Sequence, residues 1–245
     1  MKDSLVIVIP AYNEEETIEA VLEEWYQIIE RHDGDGASRL LVINDGSRDR
    51  TGEILSAFAK THPLFVYADE KNGGHGAAIW NGYTKALRMK ADYIFQTDSD
   101  GQTTPADFSA FWDRRKTADV VMGCRVNRGD GPGRALVSQV LRIVIRVVFR
   151  VKTADANCPY RLMKREALQD AMRMVPARYH LTNVLLSVAF EKQKKKVRSL
   201  PICFRERQGG KNSIHFGKIC KMGMRSLWEF SKLEREYSLM AGGKH

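Results

Sequence analysis

Short apolar, β-branched runs recur along the first half of the chain, at "SLVIVI" (4–9), "RLLVIN" (39–44), "LFVYA" (64–68), "DYIFQT" (92–97) and "DVVMG" (119–123). Each is bounded by charged or turn-forming residues, the pattern that predicts a strand. Between these runs the period changes. After "NEEE", Ile18, Val21, Leu22, Trp25 and Ile28 return every three to four residues, as on a helix with one buried face. The acidic residues around them suit the positive end of the helix dipole. Further helical patterns cover 51–61, 76–90 and 105–116. The last is well signalled, with Thr104 as a cap, Pro105 in the first turn and Asp107 three residues after the cap.

Strand and helix alternating from 4 to 123 predict an α/β fold whose mainly parallel, Rossmann-like sheet is flanked by helices. In such sheets ligands bind beyond the carboxyl ends of the strands. The polar signatures fall at those ends: "PAYNEEE" after the first strand, "NDGSRDRT" after the second, "NGGHGAA" past the third and "DSDGQ" after the fourth. Four loops of one sheet edge are therefore expected to form one site.

Taken singly, each loop has a structural reading as well. Asp98 and Asp100 can present oxygens to Mg²⁺, which is usually held by one or two carboxylates together with substrate phosphates. They can equally form an acidic turn ahead of a capped helix. Asp45-Gly46 can simply supply a bend. The glycines of "NGGHGAA" permit close approach of backbone to a phosphate, or merely a tight turn. The chain has neither a GxxxxGK[ST] loop nor a GxGxxG fingerprint, which argues against kinase, ATPase and dehydrogenase chemistry.

The four loops as a set, "IPAYNEEETI", "VINDGSRDRTGEIL", "NGGHGAAIWNGY" and "TDSDGQTTPADF", resemble the family 2 glycosyltransferases. That resemblance implies the GT-A fold. It implies that Pro10, Tyr12, Glu14 and Asp45, with Gly74 of the glycine loop, hold a nucleotide-sugar donor. It further implies that Asp98 and Asp100 carry Mg²⁺ or Mn²⁺ against the diphosphate, with Gln102 beside them.

The second half resembles the polyprenyl-phosphate group of that family, which includes the dolichol-phosphate mannosyltransferases. The segments that carry the likeness are "MGCRVNRGDGPGRALVSQVLRIVIRVVF", "TADANCPYRLMKREAL" and "LPICFRERQGGKNSIHF". By that similarity Arg125, Arg134 and Ser138 hold the acceptor phosphate, Arg161 supports the site, and Arg207 meets the donor diphosphate. The chain departs from the group's Arg-x-x-Gly-x-Ser pattern, with Asn212 at the serine position and Ser213 one place later.

A chemical argument points the same way. A hydroxyl acceptor must lose a proton as it attacks the sugar, so its enzyme positions a carboxylate base. Family 2 enzymes of that kind commonly carry a Glu-Asp pair, and no Glu-Asp dipeptide occurs in this chain. A lipid phosphate is already anionic and needs cations instead, which arginine forks can supply. If the acceptor were a hydroxyl, Asp155 would be the candidate base. A rival of another class is a non-catalytic protein that binds polyanions or lipid headgroups, but acidic loops at the sheet edge would repel a polyanion, and aromatic RNA-binding signatures are missing.

Charge and composition refine this picture. Residues 1–100 carry 10 Lys+Arg against 18 Asp+Glu, whereas residues 101–245 carry 29 against 12, so an acidic front half precedes a basic back half. The basic half is expected to meet phosphates. With 43% hydrophobic residues and no linker or repeat, 1–215 is expected to form one domain, followed by a helical segment at 216–245. Four widely spaced cysteines form no metal pattern and suggest a reducing, cytoplasmic setting.

Arg134, Ser138, Arg142, Arg146 and Arg150 recur every four residues, with Leu141, Val144, Ile145, Val148 and Phe149 on other sides. This basic amphipathic helix either packs on the sheet or lies in a membrane interface with its arginine stems snorkelling outward. A stretch so short and charged is not expected to span a bilayer. Attachment is therefore expected to be peripheral, on the cytoplasmic face, or through a membrane partner, with no nucleic acid involved. His75 and His180 are further candidates, though a lone histidine is more often a packing or surface residue.

Overall fold

The computed structural model describes residues 3–33, 36–125 and 132–205 together with Lys232, with backbone alone for 132–138. The five expected strands are β1 (Leu5–Ala11), β2 (Arg39–Asn44), β3 (Phe65–Asp69), β4 (Tyr93–Gln96) and β5 (Val120–Arg125). Two more, β6 (Arg161–Lys164) and β7 (Val197–Ile202), complete a seven-stranded sheet in the order β3-β2-β1-β4-β6-β5-β7. All neighbours run parallel except β6, which is antiparallel to both β4 and β5. The expected mainly parallel sheet is thus present, with one reversed strand near its middle.

β1 is buried along its whole length because both faces of the sheet are covered, which explains its unbroken apolar run. Alternate side chains enter opposite cores: Val6 and Val8 join Tyr83, Val184 and Phe190, while Leu5, Ile7 and Ile9 join Trp25, Phe95 and Phe108. The covering helices are α1 (Ile18–Arg31), α2 (Thr51–Ala59), α3 (His75–Arg88), α4 (Phe108–Trp112), α5 (Pro132–Val148), α6 (Arg165–Met172) and α7 (Thr182–Lys192).

The helix expected over 105–116 is shorter. Thr104 does cap it, accepting from the Ala106 N–H at 3.3 Å, but residues 105–107 form a 3-10 turn and α4 ends at Trp112. Phe108 and Phe111 are anchored in an aromatic cluster with Trp25, Phe95 and Tyr160. Beyond them the bonds tighten to i→i+3, with Arg114 N–H on Phe111, Arg115 on Trp112 and Thr117 on Arg114.

α5 shows two faces. Ile145 and Phe149 are fully buried, while Val140, Ile143 and Val147 are 51, 59 and 72% exposed, and Arg142, Arg146 and Arg150 are exposed beside them. One side of this helix therefore packs into the core, and the other is apolar, basic and open. Among the described residues no helix is long and apolar enough to cross a membrane. The segment 216–245 lies outside the described residues except for Lys232.

Candidate active site

The carboxyl ends of β1, β2 and β4 and the start of α3 enclose a cleft of about 420 Å³. Its wall takes Pro10, Tyr12 and Glu14 from the first loop, Asp45 from the second, Asn72, Gly74 and His75 from the third, and Asp98, Ser99 and Asp100 from the fourth. The four loops thus converge as expected. They are also tied to one another. The Thr51 hydroxyl accepts from the Glu14 N–H at 2.9 Å, and the Thr17 hydroxyl donates to the Ser99 carbonyl at 3.0 Å. Tyr12 is 43% exposed at the mouth, an aromatic face open to a planar base.

Asp45 has a local task. Its two carboxylate oxygens accept from the backbone N–H groups of Gly73 at 2.8 Å and Gly74 at 2.9 Å. Gly74 has φ 84°, so the glycine loop turns there at no steric cost and opens α3 directly against the carboxylate. Asp45 therefore shapes the cleft as well as lining it.

The acidic pair differs in its surroundings. Asp100 Oδ1 accepts from the Gln102 N–H at 3.1 Å. Asp98 Oδ1 is sealed from water without a hydrogen-bond partner, and His75 Nε2 stands 4.0 Å from it. A buried acceptor left unmatched is costly, so it calls for a cation or donor supplied by a ligand. Among the described residues no group of three or more His, Cys, Asp or Glu is placed to hold a metal by itself. The donor set suits Mg²⁺ or Mn²⁺ completed by phosphate oxygens.

Beneath this pair lies a polar floor. Gln96 ends β4 opposite Arg161 of β6, and the Gln96 side-chain oxygen accepts from the Tyr83 hydroxyl. Burial pushes the Tyr83 hydroxyl well above the usual tyrosine range, with the Arg161 charge opposing and Asp98 reinforcing the shift. Arg161 is 0% exposed and bonds to backbone carbonyls of Ala156, Cys158 and Asn183 at 2.5–3.2 Å. It binds the loop before β6 to α7.

Of the other expected residues, Gln102 and Arg125 are not among the lining residues. Gln102 is 7% exposed and its amide donates to the Arg205 carbonyl at 3.3 Å. Arg125 forks onto Asp155, Nε to Oδ2 at 2.7 Å and Nη2 to Oδ1 at 2.9 Å, and lies over the Phe204 ring. The same pairing occupies Asp155, the candidate base for a hydroxyl acceptor. Arg134 and Ser138 fall on the part of α5 whose side chains are not described, and Arg207, Lys211 and Ser213 lie outside the described residues. Reading the sequence did not single out Asn72, Ser99 or Thr51; each is a small polar residue in a loop already marked, with no signal of its own.

The fold recurs in known proteins. A structure of glucosyl-3-phosphoglycerate synthase from Mycobacterium tuberculosis, in complex with Mn²⁺, UDP and glucosyl-3-phosphoglycerate, superposes with a TM-score of 0.67 at 18% identity, covering 94% of this chain and 80% of the other. The architecture is accordingly that of the GT-A glycosyltransferases. A dolichyl-phosphate beta-glucosyltransferase of Trichomonas vaginalis is 28% identical over 84% of this chain and 67% of its own length. An undecaprenyl-phosphate 4-deoxy-4-formamido-L-arabinose transferase of Pectobacterium atrosepticum is 25% identical over 88% of this chain and 64% of its own. The chain thus spans about two thirds of the length of these relatives. The family model "Glycosyl transferase family 2" matches residues 6–171, and with the four loops at one sheet edge this shows that the chain belongs to the family 2 glycosyltransferases.

Proposed function

We infer that the protein moves a sugar from a UDP- or GDP-linked donor to the phosphate of a polyprenyl carrier, with inversion at the sugar's C1. The observation that carries this reading is the convergence of four loops on one cleft in which Asp98 Oδ1 is buried and unmatched. The names of the two transferase relatives support the choice of acceptor.

On this reading Tyr12 and Glu14 face the base and ribose, and Asp45 holds the glycine loop that flanks them. Asp98 and Asp100 hold Mg²⁺ or Mn²⁺, which when bound neutralises charge building on the departing diphosphate. The acceptor phosphate attacks C1 in line from the opposite side. Already anionic, it transfers no proton to the protein, so Asp155 can remain paired with Arg125 throughout. The exposed apolar and basic face of α5 meets the bilayer from which a long-chain carrier must be drawn.

The test is an assay of purified protein with labelled UDP- and GDP-sugars, Mn²⁺ or Mg²⁺, and either polyprenyl phosphate or soluble sugar acceptors. Label is expected in the lipid fraction with one donor. Label in the soluble acceptor and none in lipid would replace this reading with a hydroxyl-directed one.

A further inference from the structure

Both substrates of the proposed reaction bear phosphate, yet the cleft is walled by Glu14, Asp45, Asp98 and Asp100, and no Lys or Arg is among its described lining residues. Three arginines of the basic half are engaged elsewhere. Arg125 is forked onto Asp155, Arg161 is bonded to carbonyls, and Arg205 reaches Glu24 at 3.3 Å and the Thr104 hydroxyl at 2.9 Å.

Arg178, between α6 and α7, differs from all of these. Its Nη2 stands 3.1 Å from where a Cβ on Gly73 would lie, so the guanidinium is turned over the glycine loop. It is exposed, and among the described residues it makes no hydrogen bond or ion pair. Its backbone is left-handed, with φ 58°, a conformation that a long L side chain adopts only where the surrounding structure imposes it. The surroundings do impose it. A Cβ on Gly76 would lie 2.0 Å from the Tyr179 carbonyl oxygen, so the two backbones touch, and the Thr182 hydroxyl donates to the Gly76 carbonyl at 3.1 Å. The connection is seated on the first turn of α3 and delivers an unspent cation over Gly73, the residue before the cleft-lining Gly74.

We propose that Arg178 is a substrate-binding residue that takes a phosphoryl group at the rim of the cleft, belonging either to the donor diphosphate or to the acceptor phosphate. A guanidinium matches phosphate oxygens with two parallel N–H donors, and beside a wall of carboxylates it offsets the repulsion that an incoming anion would meet. The proposal deepens the transferase reading and rests on it for the identity of the two ligands.

R178G and R178K test it by binding rather than turnover. Glycine adopts the positive φ without strain, so R178G removes the cation while keeping the connection, and its melting temperature is expected to be no lower than the parent's. Affinities are measured for UDP, GDP and the matching nucleosides, and for phosphatidylcholine vesicles containing polyprenyl phosphate or uncharged polyprenol. R178G is expected to weaken one phosphate-bearing ligand by about ten- to a hundredfold, with R178K intermediate and the phosphate-free partner unchanged. Loss on the nucleoside diphosphates assigns Arg178 to the donor, and loss on the phosphate-bearing vesicles assigns it to the acceptor. Parental affinity for both would overturn the proposal. Because these are binding measurements, a protein that transfers no sugar to lipid would end the transferase reading while leaving this one decided separately.

Discussion

The loops after β1 to β4 and the segments from β5 onward differ in how much of their charge faces open space. In the first region Glu14, Asp45, Asp98 and Asp100 gather around open space, and one oxygen of Asp98 is left unmatched. In the second, Arg125, Arg161 and Arg205 are turned onto protein: a carboxylate, a set of carbonyls, and Glu24 with Thr104. A count of residues therefore locates charge along the chain, and packing decides how much of it a ligand can use. Arg178 and the outward arginines Arg142 and Arg146 of α5 are among the cations that the described part of the basic half leaves exposed.

The sharpest way to break this comparison is to neutralise one charge from each region. D100N is expected to lower metal-dependent turnover by at least about a hundredfold with its melting temperature retained, because the asparagine amide oxygen can still accept from the Gln102 N–H while the charge is removed. Parental turnover by D100N would remove the pair from the chemistry. R161M should do the reverse, costing about 3 kcal/mol in urea unfolding, since a fully buried guanidinium leaves behind carbonyls that no water reaches. A variant as stable as the parent would show that Arg161 is not the tie between the β6 loop and α7.

Next in size comes the outer face of α5. I143E combined with V147E is expected to reduce binding to vesicles containing anionic phospholipid by about tenfold or more, while the melting temperature stays within a few degrees, because both side chains are exposed. Unchanged binding would move membrane contact away from this helix.

The smallest effect concerns Asp119 at the start of β5. The Lys196 backbone N–H, aided by Lys164, holds its carboxyl below the usual range even though partial burial opposes them. A depressed folded pKa gives stability that is present above the unfolded value near 3.9 and lost as pH falls through the folded one. D119N should therefore lower stability by about 1 kcal/mol at pH 7, and the gap to the parent should close as pH drops below about 4. A gap independent of pH would assign the loss to packing.

Much of this could be read from the sequence because β1 to β4 are local events. Each apolar run is followed at once by its polar loop, and the parallel sheet places those loops side by side. β6 and β7 were not legible, and the reasons differ. β6 carries Arg161 at a fully buried position, a choice that makes sense only once the carbonyls of Ala156, Cys158 and Asn183 surround it. β7 is an edge strand with Arg198 and Ser199 exposed and Pro201 tolerated, so it lacks the apolar run of the inner strands. At the site, the loops were legible as a set, whereas the engagement of Arg125 by Asp155 and of Asp45 by the glycine loop depends on contacts 28 to 30 residues apart.

The central claim is that the front-edge carboxylates hold a cation against a nucleoside diphosphate. The direct measurement is the affinity of the parent and of D100N for UDP and GDP by calorimetry, with and without Mn²⁺. Mn²⁺ is expected to tighten the preferred nucleotide by about tenfold or more in the parent and to change little in D100N. Equal tightening in both proteins, or none in the parent, would contradict the account.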